Sequence, residues 1–297
     1  MIDLESLKIF RTVVDEGGVN RAAAKLNRVQ SNVTTRIRQL EEHVGARLFR
    51  REGRAIRLSA EGHTLLGYVD RLLRLADEAV SELRTGKPKG VFRLGSLEST
   101  AGSRLPPILS RYHALYPEVV VELATGTTGA LITRVTNFEI EAALVSEPFC
   151  APNLEARPVF QEQLVLITPR AIRTIAGPCD LGRATLIAFP HGCSYRNRIE
   201  DWLATGNVMP ERVLEFASYQ AMIACVAAGT GFAVVPRSVL ADQRTAKSIR
   251  QHPLPKRYSL NRTHLVWNGV PSSALNGMIW LLANATAGAG LRQQAGR

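Results

Sequence analysis

The chain has 297 residues, more than one simple core accommodates, so two or three domains are expected. Its formal net charge of +11, on an ordinary apolar content, points to polyanions as partners. No apolar run is long enough to span a bilayer and the chain opens on charged residues (Asp3, Glu5, Lys8), so a cytoplasmic protein without a membrane partner is expected.

In residues 1–58, Leu4, Leu7, Phe10, Val13 and Val14 share one helical face, and Gly17 and Gly18 stop that helix. Asn20 is expected to cap the next helix, whose apolar face is Ala22, Ala23 and Leu26. The stretch VQSNVTTRIRQLEE follows closely, with Val33, Ile37, Leu40 and Val44 inward and Gly45 as its end. RLFRREGRAIRLS alternates about Glu52 and Gly53, which predicts a short hairpin. Helix, helix, tight turn, helix and hairpin make a winged helix-turn-helix.

Residues 59–90 read as a linker helix and hinge. Ser59 caps the helix and Glu61 suits its first turn. Leu65, Leu66, Val69, Leu72, Leu73, Ala76, Val80 and Leu83 approximate heptads, which predicts a partner helix and hence a homodimer. Beyond Val91 strand-like and helical runs alternate in two series, predicting mainly parallel sheets in two lobes. Lobe I is expected over about 91–161 and 266–297, and lobe II over about 162–265.

The first lines of the VQSNVTTRIRQLEE helix carry DNA-reading chemistry. Gln30, Ser31, Asn32, Thr34, Thr35, Arg36 and Arg38 are left outside the buried stripe. Gln and Asn pair with adenine edges, while Ser, Thr and Arg hold phosphates. Between Arg21 and Arg57 there are ten Lys or Arg residues against three acids. Arg50, Arg51, Arg54 and Arg57 lie on the expected wing, in reach of the backbone or minor groove. Double-stranded DNA is the expected partner.

These residues resemble the LysR-type transcriptional regulators. The matching positions are Ala22, Ala23 and Leu26, then Gln30, then Ile37, Leu40 and Glu41, then Gly45, Leu48, Phe49 and Arg51. Val29, Ser31, Asn32 and Thr34 depart from the family's usual Ser, Pro, Ala and Ser, and Phe138 stands where Gly is frequent. The resemblance implies a multi-domain α/β chain: a winged helix-turn-helix, a long linker helix, and a two-lobed α/β, periplasmic-binding-protein-like effector domain over 91–297. It also implies a homotetramer of paired dimers.

Four hydroxyl-rich loops follow strand-like runs, where ligands of open α/β sheets collect. They offer Ser96, Ser99 and Thr100; Thr127 and Thr128; Ser194, Tyr195 and Arg196; and Ser218 and Tyr219. Amides, hydroxyls and Arg196 suit a carboxylate, and Glu98 suits an amine, so the expected effector is a carboxylate or amino acid. The resemblance implies that these same loops hold the effector between two lobes.

No motif calls for a cofactor or metal. Cys150, Cys179, Cys193 and Cys225 are widely spaced, the His residues are scattered, and no Gly-x-Ser-x-Gly elbow appears. Cys193 is expected to be a buried thiol, with no catalytic residue in the chain. The rival readings are a cytosolic small-molecule binding protein, or a cleft enzyme, with a basic interaction module.

Overall fold

The computed structural model describes residues 2–52, 55–85, 88–240 and 247–294. They form two compact units, Met1–Pro88 with Asn137–Glu139, and Lys89–Thr136 with Ile140–Arg297. No helix among the described residues is long and apolar enough to cross a membrane.

The first unit holds α1 (Leu4–Glu16), α2 (Val19–Lys25), α3 (Gln30–Val44), the antiparallel hairpin of β1 (Phe49–Glu52) and β2 (Ala55–Leu58), and α4 (Ala60–Thr85). Leu7, Phe10, Val13, Ala22, Val33, Ile37, Leu40 and Leu48 form its core with Val69 of α4. Leu4 is 50% exposed and Ile9 is buried, contrary to the expected stripe. The reason is that α1 packs against α2, α3 and α4 at once, so it buries a wide arc. Asn20 does not cap α2. Gly17 adopts a φ of 62°, and the helix starts directly after Gly18, which leaves Asn20 exposed in the first turn.

One carboxylate is buried in this unit. Glu41 accepts the amides of Leu48 at 2.9 Å and Phe49 at 3.4 Å through Oε1, and Arg47 at 2.8 Å through Oε2. This ties the hairpin to α3. The hairpin is tied to α4 by Ser59, whose hydroxyl donates to the Arg47 carbonyl at 2.6 Å and accepts the Gly62 amide at 2.8 Å. Gly62 permits the approach, since a Cβ there would sit 2.1 Å from the Leu48 carbonyl oxygen. Farther along α4, Leu65, Leu66 and Leu73 pack on the core, while Tyr68, Leu72, Leu75 and Val80 are exposed. The side chain of Leu83, and Gly86 and Lys87 of the expected hinge, lie outside the described residues.

The second unit begins with β3 (Gly90–Ser96), α5 (Glu98–Ser103), α6 (Leu105–Leu115), β4 (Val119–Thr125), α7 (Thr128–Thr136) and β5 (Ala142–Ser146). β3 pairs in parallel with β4 and β5. Every residue of β5 is buried: Ala142 and Leu144 enter one cluster, Ala143 and Val145 the other, as a strand covered on both faces requires. β6 (Glu155–Pro169) comes next, followed by β7 (Leu186–Ala188), α8 (Ser194–Ala204), β8 (Val213–Glu215), α9 (Tyr219–Ala227), β9 (Ala233–Pro236) and β10 (Ile249–Pro253). The chain returns through α10 (Lys256–Ser259), β11 (Leu260–Trp267) and α11 (Ser273–Gln294).

The sheets are mixed, where mainly parallel ones were expected. β6 is antiparallel to β11 over Glu155–Gln163, and then antiparallel to β9 and β10 over Leu164–Pro169. β11 is also antiparallel to β5. The two connections between lobes are themselves strands, and the second runs back against the first. Phe138, the departure from Gly, adopts a φ of 59°, the left-handed region that glycine tolerates best.

Replacing Glu41 with Ala strands two buried amides and should lower the unfolding free energy by about 1–3 kcal/mol. Arg47→Ala, which removes only an exposed partner, should cost less than about 1 kcal/mol. Denaturant unfolding of the full chain measures both, and equal losses would contradict this role for Glu41.

Candidate nucleic-acid interface and interlobe cleft

On α3 the residues Gln30, Ser31, Asn32, Thr35 and Arg38 are exposed, while Thr34 and Arg36 are half-buried. Thr34 donates to the Gln30 carbonyl at 3.0 Å. Arg36 is engaged within the protein: its guanidinium lies 3.9 Å from both Asp3 and Glu5 at the start of α1. Arg28 pairs with Glu5 and reaches Asn32 Oδ1 at 3.4 Å. Arg50 stands opposite Arg57 across the hairpin. Arg51 pairs with Ile56 through its backbone, its side chain lying outside the described residues, as does Arg54 altogether. A groove of about 680 Å³ runs beside Gln30, Thr34 and Arg38, with Arg21, Arg47 and Arg50 also lining it. Arg21 and Arg47 were missed individually, although both belong to the basic run between Arg21 and Arg57.

In the second unit the hydroxyl-rich loops meet at the lobe junction. Ser96, Glu98, Ser99 and Thr100 follow or end β3, and Thr127 and Thr128 follow β4. Ser194, Tyr195 and Arg196 open α8, while Ser218 and Tyr219 open α9. The Gly129 amide donates to the Gly192 carbonyl at 3.3 Å, joining the start of α7 to the loop before α8. The Ser146 amide donates to Thr128 Oγ1 at 3.2 Å, and the Ser146 hydroxyl to Asn261 Oδ1 at 2.9 Å. Ser146 ends β5 and carries the same signal as the predicted hydroxyls, a polar residue closing an apolar run. Asn261 and Glu162 had no such signal, because both sit inside strands.

Ser99 lies near the hydroxyls of both Tyr195 and Tyr219, and the Tyr219 amide lies at the Glu98 carboxylate. Burial holds the Glu98 carboxyl above its ordinary pKa, against the lowering effect of that amide. Burial also raises both tyrosine hydroxyls and the Cys193 thiol. Three buried oxygens, Ser99 Oγ, Ser194 Oγ and Tyr195 OH, make no close hydrogen bond, although Ser99 and Ser146 lie beside the Tyr195 hydroxyl. Native interiors satisfy nearly all such groups, so these oxygens are free to bond polar atoms that enter the cleft.

Other expected residues have different tasks. Ser96 donates to the Leu97 carbonyl at 3.0 Å. Thr127 accepts the Ala130 amide at 3.4 Å, a capping role. Ser218 occupies the cap position of α9 without a side-chain bond to it. Arg196 is buried and committed: Nε meets Glu200 at 2.8 Å, Nη1 meets Glu215 at 2.6 Å and the Phe189 carbonyl at 3.2 Å, and Nη2 lies 3.1 Å from His191. These bonds brace the start of α8.

Two family models match the chain: bacterial regulatory helix-turn-helix protein, lysR family, over residues 4–63, and LysR substrate binding domain over residues 85–283. A curated relative, the HTH-type transcriptional regulator GltR of Bacillus subtilis, is 35% identical over 266 residues, 89% of this chain and 90% of the relative. Among solved structures, ArgP from Mycobacterium tuberculosis aligns with a TM-score of 0.77 at 16% identity, covering 97% of this chain and 98% of its own. Full-length LysG from Corynebacterium glutamicum, with bound effector Arg, aligns with a TM-score of 0.70 at 16% identity, covering 96% and 98%.

Tyr195→Phe removes a buried hydroxyl that lies beside Ser99 and Ser146 but makes no close hydrogen bond, so the free protein should melt at nearly the same temperature. Arg196→Ala should lower the melting temperature by several degrees, because it removes a buried guanidinium that bonds Glu200, Glu215 and the Phe189 carbonyl. Differential scanning calorimetry distinguishes the two, and a destabilised Tyr195→Phe would mean its hydroxyl is bonded.

Proposed function

Because the chain belongs to the LysR-type family of DNA-binding transcriptional regulators with an effector domain, we propose that α3 reads its operator and that the interlobe cleft holds its effector. The carrying observation is the first turn of α3. Gln30, Ser31 and Asn32 stand exposed on a helix whose opposite face is buried, beside a basic hairpin. Such a helix lies in the major groove with its N-terminal side chains toward base edges. Thr34, Thr35 and Arg38, with Arg50, Arg51 and Arg54, supply phosphate contacts.

Two copies pair through α4, whose exposed Tyr68, Leu72 and Leu75 recur at helical spacing, and two such pairs build a homotetramer. The effector is a carboxylate or amino acid held by Ser99, Thr128, Ser194 and Tyr195, together with Glu98 and Tyr219. It acts by binding one arrangement of the lobes more tightly than another. The protein works in the cytoplasm and catalyses no reaction. Its matched relatives are transcriptional regulators, and Cys193, at the cleft, is a buried thiol whose pKa is raised by that burial.

A gel-shift titration with the DNA upstream of the chain's own gene tests the reading head. Gln30→Ala and Arg38→Ala should each weaken specific binding about tenfold, and Arg38→Ala should reduce the salt slope by about one. Unaltered binding by both variants would remove α3 from the interface. For the cleft, Thr128→Val should abolish any effector-dependent rise in melting temperature, and a preserved rise would move the site elsewhere.

A further inference from the structure

We propose that the effector carries an amine or another cationic group, and that Glu98 receives it beside Ser99, Tyr195 and Tyr219. This rests on reading the cleft as the effector site.

The argument is one of charge. Three arginines at the lobe junction, Arg104, Arg196 and Arg198, are bound to protein acceptors. Arg104 meets Glu162 at 2.7 Å, and that carboxylate also takes the Ser238 hydroxyl at 2.9 Å. Arg196 is held by Glu200 and Glu215. Arg198 donates to the carbonyls of Arg257 and Leu260, each at 3.1 Å, and to the Glu147 carbonyl. Glu98 is the opposite case. It is half-buried and, among the described residues, has no cationic partner, with the Tyr219 amide alone tempering its charge. A half-buried carboxylate without a counter-charge is costly, and an incoming cation removes that cost.

Three further observations point the same way. The buried hydroxyls of Ser99, Ser194 and Tyr195 make no close hydrogen bond, and each has an oxygen that can accept one from an ammonium or guanidinium. The ring of Tyr219, which interacts with Glu98, lies 4.7 Å from that of Phe189, and aromatic rings attract cations. The amide at the start of α9, which would otherwise attract an anion, is already directed at Glu98. A simple carboxylate entering here would face a second negative charge, with Arg104, Arg196 and Arg198 already engaged by protein acceptors. An amino acid fits when its cationic end takes the Glu98 position.

The test is a thermal-shift titration of the full-length protein with two probe sets. Cadaverine, agmatine and L-arginine methyl ester present cations without a carboxylate; succinate, glutarate and benzoate present the reverse. At least one cationic probe should raise the melting temperature by about 3–5 °C at tenfold excess over its Kd. That rise should vanish in Glu98→Gln and be partly restored in Glu98→Asp. Unliganded melting of both variants establishes that they fold. A rise from carboxylates alone, kept in Glu98→Gln but lost in Thr128→Val, would overturn the amine assignment and leave the cleft in place. A rise kept in Thr128→Val as well would overturn both. A set of cationic probes that produces no rise also overturns the assignment.

Discussion

The effector domain depends on one strand serving two sheets. β6 gives its first half to β11 and its second half to β9 and β10. Its backbone hydrogen bonds therefore fix where each lobe begins, with the change of partners between Gln163 and Leu164. Glu162, buried just before that change, holds Arg104 from one side and Ser238 from the other. The lobes cannot slide past each other without breaking this ladder. They can only bend about it, so any ligand that favours one bend acts on the whole domain.

The same strand explains the cleft's chemistry. β3, β4 and β5 are parallel or share one direction, so their C-terminal ends deliver Ser99, Thr128 and Ser146 to one rim. The opposite rim comes from the starts of α8 and α9. These ends were legible in the sequence as hydroxyls closing apolar runs. Glu162 and Asn261 were not, because a polar residue inside a strand gives no local sign of which partner meets it. The mixed sheet escaped for a related reason: pairing direction between distant strands is a property of topology, and strand–helix alternation reports only on its local part. Arg196 was legible as a cation at a loop, but its partner Glu215 is distant in sequence, and that partner decides its role.

In the first unit, apolar spacing and the stopping glycines were enough to place three helices and a hairpin. Their family resemblance rests on the same positions. What escaped were ionic contacts between far segments. Arg36 reads as a groove contact from its own helix, yet Asp3 and Glu5 lie beside it only because α1 crosses α3 there. Glu41 reads as an ordinary surface acid of an amphipathic helix. It is buried because the chain turns back and offers it two amides. Phe138 shows the converse: a departure visible in sequence marks a backbone position that keeps glycine's conformation.

The close seat of Gly62 on the Leu48 carbonyl has a mechanical meaning. With Ser59 bonded to both segments, the first turn of α4 and the basic hairpin move as one piece. α4 spans 26 residues, or roughly 39 Å of helix. It is thus a lever welded to the wing at one end. By that leverage a tilt of about 5° carries its far end roughly 3 Å, a distance comparable to one base-pair step. In the proposed pair of α4 helices, the angle at which two levers cross would set how far apart two wings land on a duplex, and the weld at Gly62 is what would keep that angle from being lost before it reaches the DNA.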